Sequence, residues 1–159
     1  MAIENYERDP YTISTDPARL DVAAVHRYLT HSYWAEDIPL EVVRRSLAAS
    51  LCFGLYAPAP DGQVGLVRVI TDRATFGYLC DVYVLPEHRG RGLARWMVEC
   101  VMESPQLQGL RRWMLVTRNA HRLYEPVGFR VTDTPDRVME IVRPGLYRAT
   151  APADPEPIG

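Results

Sequence analysis

Apolar positions fall at helical spacing in three stretches of the chain. Leu20, Val22, Val25 and Leu29 follow the Asp16-Pro17 turn. Leu40, Val43 and Leu47 form a second set, and Leu93, Trp96, Met97, Cys100 and Val101 a third, which Pro105 closes. Between the second and third lie strand-like runs: Leu51 to Tyr56 and Val64 to Ile70, separated by a segment with an Asp61-Gly62 turn step, predict an antiparallel hairpin. Phe76 to Leu85 is a longer run with few charges, as expected near a sheet centre, and Asp81 is its one carboxylate. Shorter runs predict strands at Tyr11 to Ser14, Trp113 to Thr117, Phe129 to Thr132 and Val138 to Val142, with a short helix over Ala120 to Pro126. The order, a strand and two helices, then strands alternating with helices, predicts a mixed α/β fold.

At 159 residues and 47% hydrophobic, the chain suits one domain that buries about two-thirds of its unfolded surface. Residues 1–10 are polar and expected to be a flexible N-terminus, residues 11–149 the single domain, and residues 150–159 a proline-rich tail that cannot build regular structure. A formal net charge of -2, from 18 basic and 20 acidic residues, provides no broad basic field, so neither nucleic acid nor an anionic membrane is expected as a partner.

There is no apolar stretch of about 18 residues and no basic flank before an apolar run near the N-terminus, which makes a cytoplasmic location the expectation. Cys52, Cys80 and Cys100 sit in apolar segments and read as free thiols of a reducing compartment. His26, His31, His88 and His121 lack metal-ligand spacing, so no metal is expected.

The strand ending at Leu85 meets the helix beginning near Gly92 through Pro86-Glu87-His88-Arg89-Gly90-Arg91-Gly92. A helix start leaves N–H groups without acceptors and carries about half a positive charge. Glycines let a ligand approach the main chain, and arginines add charge-assisted donors, a combination suited to a diphosphate. A charged surface loop would read the same way. A nucleotide P-loop is excluded because no Gly-Lys-Ser/Thr is present, and a dinucleotide turn because Arg95 stands where its third glycine belongs.

Arg89-Gly90-Arg91-Gly92-Leu93-Ala94 fills the pattern Arg or Gln, two residues, Gly, one residue, Gly or Ala, and Val84-Leu85-Pro86-Glu87-His88 precedes it. A second block runs Asn119-Ala120-His121-Arg122-Leu123-Tyr124-Glu125-Pro126-Val127-Gly128-Phe129. With these two blocks in this order, the chain resembles the GNAT superfamily of acetyl-CoA-dependent N-acetyltransferases over about residues 11 to 142. Within it, the Tyr-Trp-Ala-Glu-Asp-Ile-Pro segment resembles a bacterial group of small members. Pro126 departs from the pattern, where the family commonly has a lysine or arginine.

The resemblance implies a largely antiparallel sheet of six to seven strands with a V-shaped splay, and about four helices. It implies acetyl-CoA as co-substrate, its diphosphate held by backbone N–H groups of Arg89, Gly90, Arg91, Gly92, Leu93 and Ala94. Val82, Tyr83 and Val84 would pair with its pantetheine arm, Tyr124 would give a proton to the leaving thiolate, and a homodimer would form through terminal strands. Tyr124 has a plainer reading as a core tyrosine beside Phe129, and Asn119 as a helix cap rather than a cofactor ligand.

Asp81 is a candidate to bind the substrate ammonium or relay its proton through water, the alternative being an ion pair with Arg68. Tyr33, Trp34 and Asp37 lie in the connector that walls the acceptor pocket in the family, where aromatics and carboxylates suit a cationic amine; such aromatics also commonly pin a loop to the core. The expected acceptor is a small-molecule amine attacked directly in a ternary complex. The alternatives are a protein or peptide acceptor, or a non-catalytic acyl-CoA sensor.

Overall fold

The computed structural model describes residues 2–150. Six strands lie in one sheet in sequence order: β1 (Asn5–Arg8), β2 (Tyr11–Ser14), β3 (Leu51–Ala57), β4 (Gly62–Thr71), β5 (Phe76–Val84) and β6 (Arg112–Leu115). Neighbours are antiparallel as far as β5, and β6 runs parallel to β5. A parallel neighbour requires a crossover, which helix α3 (Leu93–Glu103) supplies.

Helices α1 (Val22–Leu29) and α2 (Leu40–Ala48) join β2 to β3, and α4 (His121–Tyr124) follows β6. Apolar residues on the two sides of the sheet form separate cores. Ile13, Phe53, Leu55, Val67 and Leu79 pack with Trp96, Met97 and Val101 of α3. Cys52, Leu66 and Tyr83 pack with Val25 and Leu29 of α1 and Val43 and Leu47 of α2. The fold is thus mixed α/β with the layers the periodicity predicts.

One irregularity in β5 matters for function. Between the pairs Leu66↔Tyr83 and Arg68↔Cys80 stands Val67 on β4, opposed by both Asp81 and Val82 on β5. This is a β-bulge, with Asp81 at φ 50°. Regular alternation would send Asp81 to the face of Leu79, against α3. The extra residue turns it instead to the face of Arg68, while Val82 packs against the α3 core.

Two expectations are corrected. Residues 5–8, within the stretch expected to be flexible, form β1, because polar bonds that hydrophobic periodicity does not register hold the segment. Glu4 Oε1 accepts from Ser104 Oγ at 2.9 Å and Gln106 Nε2 at 2.8 Å, and Glu4 Oε2 accepts from the Tyr6 hydroxyl at 2.6 Å.

Phe129 to Thr132 and Val138 to Val142 are not strands. The Pro135–Arg137 turn separates them, neither finds a ladder partner among the described residues, and Met139 and Ile141 are exposed. Alternation makes a strand only where a neighbour completes the hydrogen bonds. The proline-rich segment from residue 151 lies outside the described residues.

Candidate active site

After β5 the chain makes a single turn over Pro86–His88 and enters α3 through Gly90 at φ 77° and Gly92 at φ 71°. A Cβ at either glycine would meet nothing within 4 Å, so the backbone angle demands glycine and the space above it stays open. Gly92 is the N-cap of α3 and no side chain caps it, which leaves first-turn N–H groups for a ligand.

The arginines brace this loop. Arg89 donates through Nε to the Val84 carbonyl at 2.9 Å and through Nη2 to the Tyr28 hydroxyl at 3.2 Å. Arg91 Nη1 donates to the Tyr11 hydroxyl at 2.7 Å. His88 ties the loop further, with Nδ1 at 2.8 Å from the same hydroxyl and Nε2 at 3.1 Å from Asp61 Oδ2. The cradle is therefore a fixed backbone surface with cations behind it. Sequence reasoning missed Tyr28, which also stacks on Tyr83 with ring centroids 3.8 Å apart.

A hollow of about 210 Å³ opens over the cradle, lined by Val84, Gly90, Gly92 and Ala94, and also by Leu123 of α4. The two sequence blocks thus meet at one concave surface. Beside it the sheet divides: pairing of β5 with β6 ends at Leu79↔Leu115, although β5 continues to Val84. Among the described residues, the β6 side of Val82, Tyr83 and Val84 has no strand partner, which suits an extended ligand arm that adds itself as a strand.

Next to Leu123, Tyr124 is buried, with its ring edge-on to Phe129 at 6.0 Å. Burial first, and Tyr33 nearby second, push its pKa up to about 12, so the phenol keeps its proton at neutral pH. Its hydroxyl has no hydrogen-bond partner among the described residues. Asn119 likewise makes none: the hydroxyl of Thr117, not Asn119, accepts from the first N–H of the α4 turn, that of Ala120, at 2.9 Å.

The acetyltransferase (GNAT) domain profile matches residues 49–131, more than half of the chain. The chain belongs to the GNAT acetyltransferase family. A Gibberella zeae protein named as an acetyltransferase is 42% identical over 142 residues, 76% of this chain and 79% of its own length. A crystal structure assigned to the GNAT family, from Xanthomonas campestris, is 47% identical and superposes with a TM-score of 0.83, covering 89% of this chain and 99% of that one. An acetyltransferase from Clostridium acetobutylicum, solved with acetyl-CoA, is 18% identical with a TM-score of 0.55, covering 89% and 96% of the two chains, a likeness of fold alone. The resemblance carried by the two sequence blocks is thereby established, and with it an acyltransferase of the GNAT fold. The family uses acetyl-CoA, and the cradle, hollow and unpaired edge fit a ligand with a diphosphate and an extended arm.

On the opposite face of the sheet from α3, Asp81 has both oxygens engaged. Oδ2 accepts from Arg68 Nε at 2.7 Å and Oδ1 from the indole Nε1 of Trp34 at 2.9 Å. Burial is the largest single influence on the Arg68 pKa and lowers it, but Asp81, Cys80 and Cys52 together outweigh it and the net direction is up. Arg68 Nη1 also donates to Ser50 Oγ at 3.0 Å. These contacts draw the ion pair rather than a free base. Burial raises the Tyr78 pKa, and Cys80, where burial again dominates, is pushed up to about 12, so neither offers a base at neutral pH.

Tyr33 and Trp34 pack edge-on at 5.1 Å. Over Tyr33, at 4.0 Å from its ring centroid, lies the Arg118 guanidinium. The connector therefore bridges the two arms of the division, Trp34 to β5 and Tyr33 to the segment beyond β6. Asp37 turns elsewhere: its Oδ2 is 3.9 Å from Arg148 Nε, and Glu36 Oε2 is 2.7 Å from Arg148 Nη2. Sequence reasoning passed over Arg118, although it is the one charged residue between Trp113 and Asn119.

Proposed function

We propose that this enzyme transfers an acetyl group from acetyl-CoA to the primary amine of a small molecule, by direct attack with both substrates bound. The observation that carries this reading is the hollow lined by both the α3 cradle and Leu123 of α4 beside the unpaired β5 edge, which supports a role there for Tyr124, the next residue in the chain. When bound, acetyl-CoA supplies an acetyl carbon activated as a thioester.

The backbone N–H groups of Arg89 to Ala94 hold the diphosphate, and Val82 to Val84 align the arm. The amine nitrogen forms its bond to the acetyl carbon as the carbon–sulfur bond breaks. Tyr124 gives its proton to the departing sulfur and regains one from water, a role supported by a phenol protonated at neutral pH. The surplus proton on the nitrogen leaves through water. Asp81 acts as a positioning residue that holds Trp34 and Arg68 at the acceptor wall. A small acceptor is favoured over a protein chain because Tyr33 and Trp34 bridge the opening.

The test is CoA release from acetyl-CoA over a panel of amines and lysine-containing peptides. Tyr124→Phe is expected to lower kcat by about 10² to 10⁴ while acetyl-CoA affinity holds. Acetyl-CoA binding without release of CoA by any acceptor would overturn catalysis in favour of a sensor. Turnover confined to peptides would overturn the small-molecule acceptor.

A further inference from the structure

We infer that Arg118 is a carboxylate-recognition residue, and that the acceptor is an amine carrying a carboxylate of its own. This rests on the acetyl-transfer reading and names the substrate class for it. Arg118 follows β6 beyond Leu115, the last residue paired with β5, and so stands on the separated arm of the sheet. Its guanidinium lies 4.0 Å over the Tyr33 ring. Tyr33 acts on Tyr124 electrostatically, and it is over the Tyr33 ring that Arg118 lies.

The carboxylates of the connector and of the β5 bulge already have partners. Asp81 is bound by Arg68 and Trp34, and Glu36 and Asp37 face Arg148. Arg118 has no carboxylate partner and makes no hydrogen bond among the described residues, and its side chain is exposed. A ring beneath a guanidinium fixes its position without using an N–H donor, which leaves the planar fork to take both oxygens of a carboxylate.

The connector was expected to attract a cation through its acids. With those acids neutralised and a cation on the opposite arm, the wall favours an anionic group on the acceptor. A lysine in this place would offer a point charge with weaker orientation.

The test separates recognition from turnover by using product-class molecules. N-acetylglycine, N-acetyl-β-alanine and N-acetylphenylalanine, each beside its carboxamide, are titrated calorimetrically into the protein with and without CoA. For at least one pair the acid is expected to bind about tenfold or more tighter than the amide, the scale of a charge-assisted hydrogen bond. Arg118→Gln is expected to erase that preference without changing amide binding, and Arg118→Lys to keep part of it.

Acids that bind no tighter than their amides to the wild-type protein would overturn the inference, as would a preference that survives Arg118→Gln. The wild-type comparison stands even if a variant folds poorly. Release of CoA by simple amines alongside indifference to carboxylates would defeat this inference and leave acetyl transfer intact.

Discussion

The indole N–H of Trp34 donates to Asp81 Oδ1 at 2.9 Å, joining the connector between α1 and α2 to the bulge of β5. The bulge makes this bond geometrically available, since it turns Asp81 toward the helices of that face, and Arg68 takes the other oxygen. A local register defect thereby fixes a loop that walls the acceptor side.

Removing one partner of this ion pair leaves a buried charge. The side chains of Arg68 and Asp81 are 14% and 8% exposed, so Asp81→Ala is expected to cost about 3–5 kcal/mol in urea unfolding. The double variant Arg68→Met with Asp81→Asn should recover much of that loss, because no unpaired charge remains and asparagine tolerates the φ of 50°. Trp34→Phe removes the donor and trims the ring while keeping an aromatic in place. It should cost about 0.5–1.5 kcal/mol and raise KM for the amine, with acetyl-CoA affinity unchanged.

Gly92 separates backbone strain from ligand exclusion. An alanine there would touch nothing within 4 Å, so Gly92→Ala should lose only the cost of its φ of 71°, about 1–2 kcal/mol. Gly92→Glu should lose a similar amount of stability and yet abolish acetyl-CoA binding in calorimetry, because a carboxylate would occupy the uncapped α3 terminus. Unchanged affinity in the glutamate variant would remove the cradle from the site.

The sequence was most legible where local pattern and chemistry coincide. Gly90 and Gly92 announce a backbone conformation, and Leu93, Trp96, Met97, Cys100 and Val101 announce one helix face; both are as expected. Legibility failed where a partner distant in sequence decides the outcome. Asn5 to Arg8 form a strand because Glu4 reaches Ser104 and Gln106, a hundred residues away in the chain. Val138 to Val142 has strand alternation but no neighbour among the described residues, and stays irregular. Arg118 gave no signal by itself because its meaning depends on Tyr33, which comes from a different element.

Glu4 is a direct measure of that distant anchoring. Glu4→Ala would strip the acceptor from Ser104, which is fully buried, and from Gln106 and Tyr6. An expected loss of about 1–3 kcal/mol follows for the unsatisfied hydroxyl and amide. Amide hydrogen exchange should show β1 losing protection while α3 keeps its own, and equal loss in both would contradict local anchoring.

The thiols begin the alkaline loss of stability, which buried tyrosines such as Tyr124 extend at higher pH. Burial pushes Cys52, Cys80 and Cys100 each up to about 12 from an ordinary value of 9.0. Because the folded state holds these protons more tightly, their contribution is complete below pH 9 and is lost as pH rises from 9 through about 12. Urea midpoints should therefore fall steadily above pH 9. At pH 8 only about one thiol in ten thousand would be ionised, against roughly a tenth of free cysteine. Iodoacetamide should accordingly label none of the three in the native protein and all of them in urea. A cysteine that reacts natively at the free-thiol rate would be one the fold does not bury.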